Sequence, residues 1–505
     1  MPPLSQRLTR LGAANVDPAH APPGPPTRSV SPNLVLLIVC AGVVLASLDL
    51  FIVNVALPQM SQSFGAPGLD GLSWVLNGYA IVYASLLVLF GRLADRFNRK
   101  SGFLVGVAVF VAASAACAAA TSLPMLVAFR VLQAAGAALL TPTSLGLILA
   151  TFPPERRQSA VRTWTAVGGL AAALGPAVGG LLVAASWRWV FLVNLPVGVA
   201  ALIAGWRGLP KVPGHPIPWP DGISAVLITG GVGALTLGLV EGGNWGWGDP
   251  RTIGVLALAC VLLALFALRT ARHDNPLIDR ALFRVRPFTG ASTVALLFSI
   301  AFGAMLLSRV LWAQDVWHWS ALETGVSIVP GPIMVPFFSF LVAGPLIARF
   351  GAGAVIAVGS TVFAAGMAWM ALAAGLAPDY VGEVLGGLLL TGIGVGLTLP
   401  TMMGTAAGSL PPTSFATGSA VVNMLRQVGL AIGVAVLIAV LGSPHSPAQV
   451  LAAYQRGWTV TAAIAFAGGV VGFLLLARRR PVAAVASDPA AIPTAGLVAA
   501  GSDNL

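Results

Sequence analysis

Three charged residues stand where charge is costly, and chemistry can be argued from them: Asp49, Arg130 and Arg426. Each lies inside a long apolar run, and an ionisable group held inside a membrane segment is a functional-site candidate by default. A carboxylate that alternates between an arginine partner and a wet or apolar setting changes its proton affinity as it moves. Coupling to protons requires that property. The other reading of Asp49 and Arg130 is a static buried ion pair holding two helices together. Arg426 either meets an anionic or polar group of a ligand or spends its donors on helix carbonyls and a neighbouring glutamine. Arg309 lies far along its own run and is expected to snorkel outward. Glu241, Asp315 and Glu323 fall at outer ends, where solvation is expected. The loop from Gly91 to Lys100 sets Asp95 among Arg92, Arg96, Arg99 and Lys100. It is either a topology anchor or an inner gate, where Asp95 meets a helix N-terminus or an arginine of a moving partner.

Other chemistries lack their residues. No glycine-rich loop ends in Gly-Lys-Ser/Thr, because Lys100 follows Arg99 and Lys211 follows Pro210, so nucleotide-driven pumping has no phosphate cradle. The histidines lie in tails and loops with no metal spacing. Cys40, Cys117 and Cys260 sit in apolar runs, which excludes a disulfide framework. No metal, cofactor or enzymatic activity is expected.

The elements that position these residues are membrane spans. Of 505 residues, 57% are hydrophobic and 9% charged; a soluble domain carries about 25% charged residues, so this chain cannot cover its surface in water. Fourteen runs reach the ~20 apolar residues that a bilayer helix needs, the first at about 34–57, the fourth at 124–150 and the thirteenth at 414–441. The tenth, 324–346, is interrupted by Pro330, Pro332 and Pro336. With the N-terminus inside, the basic residues gather in inner segments, against Arg188, Arg251 and Arg456 outside. The positive-inside rule then places both termini in the cytoplasm. The net charge of +11 thus reports topology in a lipid bilayer and no nucleic-acid partner. Rise per residue puts Asp49 roughly 12 Å and Arg130 roughly 9 Å below the same outer edge, so neighbouring spans would bring them together. Arg426 falls roughly 18 Å deep, near the midplane.

A faint repeat divides the chain. Gly91–Lys100 and Gly344–Gly351 both follow the second span of a six-span unit if spans seven and eight are an inserted hairpin. The expected layout is a disordered tail at 1–32, a six-helix bundle at 33–206, a linker with two extra spans at 207–288, a second bundle at 289–480 and a tail at 481–505. Repeated halves around a midplane site are a secondary-transporter signature.

These residues also form familiar strings. Gly91-Arg-Leu-Ala-Asp95-Arg96-Phe-Asn98-Arg99-Lys100 resembles the signature loop of the major facilitator superfamily, with Asn98 where that loop usually has glycine. Leu48-Asp49 to Pro58, including Asn54, resembles the first-span motif of its fourteen-span drug:proton antiporters, a branch of multidrug efflux transporters. Arg130-Val-Leu-Gln133-Ala-Ala-Gly136 resembles their fourth-span motif, whose arginine is associated with proton coupling. Here Ala134 replaces a glycine. Gly175-Pro176-Ala-Val-Gly179-Gly180 resembles the fifth-span antiporter motif, thought to set a bend and a seal against leak, with Ala171 in place of its upstream glycine. Trp187-Arg188-Trp189 to Asn194-Leu-Pro196 is similar to the start of the sixth span.

The resemblance implies an all-α membrane protein with two pseudo-symmetric six-helix bundles and an inserted two-helix hairpin. It implies a monomeric, proton-driven exporter of amphipathic small molecules in the cell membrane. Asp49 and Arg130 would couple protons. Asn54, Gln133, Asn423 and Arg426 would line the substrate cavity, and Gly91, Asp95, Arg96, Arg99 and Lys100 would form the inner gate. The deep charge of the second half is an arginine, which departs from a cation exporter. Two rivals stay open: export of one endogenous metabolite or lipid, and a receptor or scaffold that moves nothing.

Overall fold

The computed structural model describes residues 31–65, 69–273, 275–442, 444 and 446–476, and every described element is helical. The tail 481–505 and nearly all of 1–32, with Arg7, Arg10 and Arg28, lie outside the described residues. The first half contains α1 (Pro32–Phe64), α2 (Leu69–Arg96), α3 (Arg99–Ala118), α4 (Leu123–Thr151), α5 (Pro154–Val183) and α6 (Asn194–Gly208). A one-turn helix, Trp189–Leu192, leads into α6. Next come α7 (Gly222–Trp245) and α8 (Pro250–Arg272). The second half contains α9 (Arg286–Leu311), α10 (Ala321–Ile328), α11 (Pro330–Phe337), α12 (Ala343–Phe350), α13 (Ala352–Ala373), α14 (Gly386–Gly408), α15 (Phe415–Leu441) and α16 (Pro447–Leu476). In hydrocarbon a chain must bond its own backbone, so apolar runs of this length become helices.

Thirteen helical stretches are long and apolar enough to cross a membrane, and a fourteenth is α5, which bends by 41° between Ala172 and Ala177. The bend falls at Gly175-Pro176, where the proline withholds a backbone donor. The proline-rich tenth run does span, from Glu323 to Phe350. It does so in short pieces, α10 to α12, joined through a wider turn at Phe338–Val342.

The two halves repeat their packing. In the first, α1 packs on α5, α4 on α2 and α3, and α3 on α6; in the second, α9 packs on α15, α14 on α11 and α13, and α13 on α16. The halves meet through α2 with α15 and, symmetrically, α5 with α11. The α7–α8 hairpin closes the seam, with α7 against both α2 and α15.

Two residues differ from expectation here. Glu241, near the outer end of α7, is buried rather than solvated, and Asn77 of α2 donates to its Oε1 at 2.8 Å. Packing of α7 on α2 covers it, which no single-span pattern reveals. Asn98 needs no glycine-like backbone: at φ −67° it is the N-cap of α3, accepting from the Lys100 and Ser101 amides. Asparagine is among the best N-caps, so the substitution strengthens the start of the helix.

At its inner end the hairpin is tied by Asp221 to Arg269. The arginine Nη2 donates to Asp221 Oδ1 at 3.0 Å and Nε donates to Oδ2. Asp221 also caps α7. The Arg269 hydrogen bond holds the Asp221 carboxyl well below the usual carboxylate range. A depressed folded-state pKa gives stability that is present above the unfolded value near 3.9 and is lost as pH falls below it. Asp221→Ala is therefore expected to lower the thermal midpoint of the purified protein at pH 7. The gap to wild type should narrow as pH drops below ~4; an equal gap at both pH values would contradict the tie.

Candidate functional site

The centre of the first half is a closed polar cluster around Asp49. Asp49 is fully buried in α1 and accepts three hydrogen bonds: from Arg130 Nη1 at 2.5 Å, Gln133 Nε2 at 2.8 Å and Asn194 Nδ2 at 3.0 Å. Arg130 and Gln133 are i, i+3 on α4, so they present one face to α1. Arg130 Nε donates to the Val75 carbonyl of α2 at 3.1 Å, and its guanidinium lies 4.3 Å from the Tyr79 ring centre. Gln133 Oε1 accepts from Arg130 at 2.7 Å, and its Nε2 also donates to Ser114 Oγ of α3 at 2.7 Å. Asn194 opens α6. Five helices thus contribute to the cluster, two of them, α4 and α6, by donating to the carboxylate.

Sequence reasoning paired Asp49 with Arg130 from depth, and the structure joins them. Gln133, expected in the substrate cavity, belongs to this closed cluster instead, with no exposed surface and both amide atoms engaged. Ser114, Tyr79 and the partner role of Asn194 were missed. Tyr79 and Tyr83 are i, i+4 on one span, which was the available signal. Ser114 gave none beyond being polar in an apolar run.

The fifth-span glycines act on the same helix. A Cβ on Gly175 would stand 2.9 Å from Phe51 Cβ and 3.3 Å from the Leu48 carbonyl, and one on Gly179 would stand 3.0 Å from the Ile52 carbonyl. Only glycine lets α5 lie against α1 so closely beside Asp49. Gly180 is half-buried, and Pro176 lies on the α5 backbone between them.

Arg426 of α15 is half-buried, and its Nη1 donates to Asn423 Oδ1 at 3.1 Å. Asn423 is anchored by donating to the Ser419 carbonyl at 3.0 Å. Arg426 and Tyr83 lie on α15 and α2, which pack together. Tyr83 bonds Thr141 at 3.0 Å and stacks on Tyr79 with ring centres 5.9 Å apart. The stacked tyrosines lead from Thr141 to the Arg130 guanidinium. Asn54 is exposed and folds its amide back onto the Phe51 carbonyl at 3.2 Å, apart from this group.

At the inner ends the halves are joined directly. Asp95 is fully buried, and the N-terminus of α15 points at it: the Ala416 and Thr417 amides donate at 2.9 and 2.7 Å and the Thr417 hydroxyl at 2.7 Å. The helix dipole adds to these bonds. Arg99 Nη2 donates to Asp95 and to the Pro412 carbonyl, both at 3.0 Å. A Cβ on Gly91 would stand 2.5 Å from Ala420 Cβ and 2.9 Å from the Ala416 carbonyl, so α2 and α15 touch there only because it is glycine. Gln158 of α5 donates to Thr405 of α14 at 3.4 Å on the symmetric side. The inner side is closed.

Arg96 and Lys100, grouped with this gate from sequence, do not cross to the second half. Arg96 donates to the Ile217 carbonyl and lies 4.4 Å from the Trp219 ring centre. Lys100 Nζ donates to the Trp206 and Leu209 carbonyls at 2.7 and 2.8 Å, at the C-terminus of α6. The reason is the segment between α6 and α7, which runs over the loop: the Arg99 amide donates to Val212 and the His215 amide to Asp95.

The profile of the Major Facilitator Superfamily matches residues 39–434. The chain is 36% identical over 419 residues to the tetracenomycin C resistance and export protein of Streptomyces glaucescens, covering 81% of this chain and 76% of that one. It is 33% identical over 471 residues to the multidrug resistance protein Stp of Mycobacterium tuberculosis, covering 90% and 87%. Among solved structures, the human organic anion transporter MFSD10 superposes with TM-score 0.60 at 16% identity, over 89% of this chain and 100% of that one. That likeness concerns the fold alone.

Proposed function

The chain belongs to the Major Facilitator Superfamily and is a multi-pass membrane transporter, not an enzyme; from that premise we propose that it exports amphipathic small molecules from the cytoplasm in exchange for protons. Relatives named for resistance and export support the direction and the small-molecule substrate class. The inner concentration of basic residues supports cytoplasmic termini in the cell membrane. We divide the chain as its packing repeats: bundles at 33–206 and 289–480, with the hairpin segment 207–288 between them.

The observation that carries the coupling is the enclosure of Asp49 by Arg130, Gln133 and Asn194. Protonating Asp49 would leave Arg130 buried without its counter-charge. Removing one partner of a buried pair costs about 3–5 kcal/mol, enough to force rearrangement of α1 against α4. Moving one charge through the membrane field supplies about 2.3 kcal/mol per 100 mV, the same order. Protonation from outside would therefore be linked to release of substrate outward, and loss of the proton inside would reset the transporter. Asp95 on the α15 N-terminus would latch the inner side meanwhile. Arg426, held by Asn423, and the exposed Asn54 would face the substrate.

Drug-susceptibility profiling of cells expressing the protein tests this reading. Raised resistance to several unrelated amphipathic compounds is expected. Resistance to none would favour a dedicated exporter of one metabolite or lipid. In Arg426→Ala, export of anionic compounds should fall by at least ~10-fold, the loss of one charge-assisted hydrogen bond, while cationic ones change less. An equal loss for both would make Arg426 structural.

A further inference from the structure

The outer end of the second half holds a cation that the export cycle does not use. Arg309, in the last turn of α9, is 1% exposed, and Nε, Nη1 and Nη2 all lack an acceptor. It does not snorkel: the buried Trp312 and Trp458 pack together at this end, and the Trp458 indole donates to Ser308, the residue beside Arg309. Long arginines reach water where their surroundings let them; this one is walled in. An unpaired buried cation is costly, and guanidinium does not shed its proton to escape the cost.

None of the described carboxylates at this end answers it. Glu323 is engaged in a capping box with Ser320. Asp379 accepts from the Gly382 amide. Asp315 is exposed. Glu383 is buried with its Oε1 beside Gly375 and its Oε2 unpartnered, and no described ion pair joins it to Arg309. The Tyr380 hydroxyl is neutral and donates to the Ser327 carbonyl at 2.8 Å. The indole N–H groups of Trp312 and Trp317 are likewise buried without acceptors. Five donor atoms of Arg309, Trp312 and Trp317 thus stand unpartnered here, against the unpartnered Oε2 of Glu383.

We propose that Arg309 is the seat of a compact monovalent anion, either chloride or the carboxylate of a small organic acid. The planar guanidinium offers a fork of donors suited to such a group. Trp312, three residues on, adds an unpartnered indole N–H. This is a binding property and does not rest on the export reading.

The test is thermal unfolding of the purified full-length protein in a buffer whose salt is bulky isethionate, titrated at constant ionic strength with chloride, acetate or benzoate. The wild-type midpoint should rise saturably with a compact anion. Arg309→Met should weaken that response by at least ~10-fold, or about 1.4 kcal/mol. In isethionate alone Arg309→Met should melt at or above wild type, since replacing an uncompensated buried charge by an apolar side chain is neutral or stabilising. Arg309→Lys should keep the response. A stronger effect of chloride would assign the site to an inorganic anion, and a stronger effect of acetate or benzoate to an organic acid. The proposal is overturned if Arg309→Met responds like wild type, if the response disappears in Arg426→Met instead, or if Arg309→Met melts below wild type in isethionate.

Discussion

Asp49→Asn is expected to abolish proton-coupled export while leaving the folded protein in the membrane. Asparagine fills nearly the same space and still accepts hydrogen bonds through its one carbonyl oxygen. It cannot exchange a proton, and it removes the negative partner of Arg130 in a cluster where every member is fully buried. Losing that partner is worth about 3–5 kcal/mol, or two to three orders of magnitude in the equilibrium between conformations. Cells expressing the variant should be as drug-sensitive as cells without the transporter, at equal protein abundance. Equal resistance of variant and wild type would remove Asp49 from the mechanism and leave the pair a static brace. Gln133→Leu should behave differently: Asp49 and Arg130 remain, Ser114 loses a donor, and the loss should be partial.

The inner latch gives the second large effect. Asp95 receives four hydrogen bonds, three from the first turn of α15. Asp95→Ala leaves those donors buried and unpaired, and the inner-closed state should lose about 3–5 kcal/mol relative to inner-open. Gly91→Val attacks the same contact from the packing side, because its Cβ would lie 2.5 Å from Ala420 Cβ. Spin labels on the exposed inner residues Glu155 and Thr413 would report the result, in a background whose three cysteines are replaced. Both variants should move the distance distribution towards longer values. An unchanged distribution in both would mean that the α2–α15 contact does not set the inner gate. Arg96→Ala should shift it less, since Arg96 holds the α6–α7 segment and not α15.

Much of this was legible before any coordinates. Spans follow from apolar length, and the Asp49–Arg130 pair follows from counting depth along two antiparallel helices. What resisted sequence reading was sideways placement. Rise per residue gives depth but not the face a side chain takes. Arg309 therefore looked like a residue that reaches water, when it is 1% exposed. Glu241 looked solvated because the burial comes from α2, a distant span. Gln133 looked like a cavity residue because its type suits one. Ser114 and Asn194 joined the cluster unannounced, since a small polar residue in a span carries no pattern of its own. Asn98 shows the converse: a departure from the expected glycine turned out to be a helix cap.

The central claim is that Asp49 exchanges a proton in step with substrate movement. The direct measurement is proton flux in proteoliposomes holding purified protein, read by an internal pH dye as an exported compound is added. Wild type should show substrate-dependent proton movement opposite to the compound, and Asp49→Asn should show none while still binding the compound. Substrate-dependent proton flux of equal size in Asp49→Asn, or compound transport by wild type with no proton movement, would contradict the account.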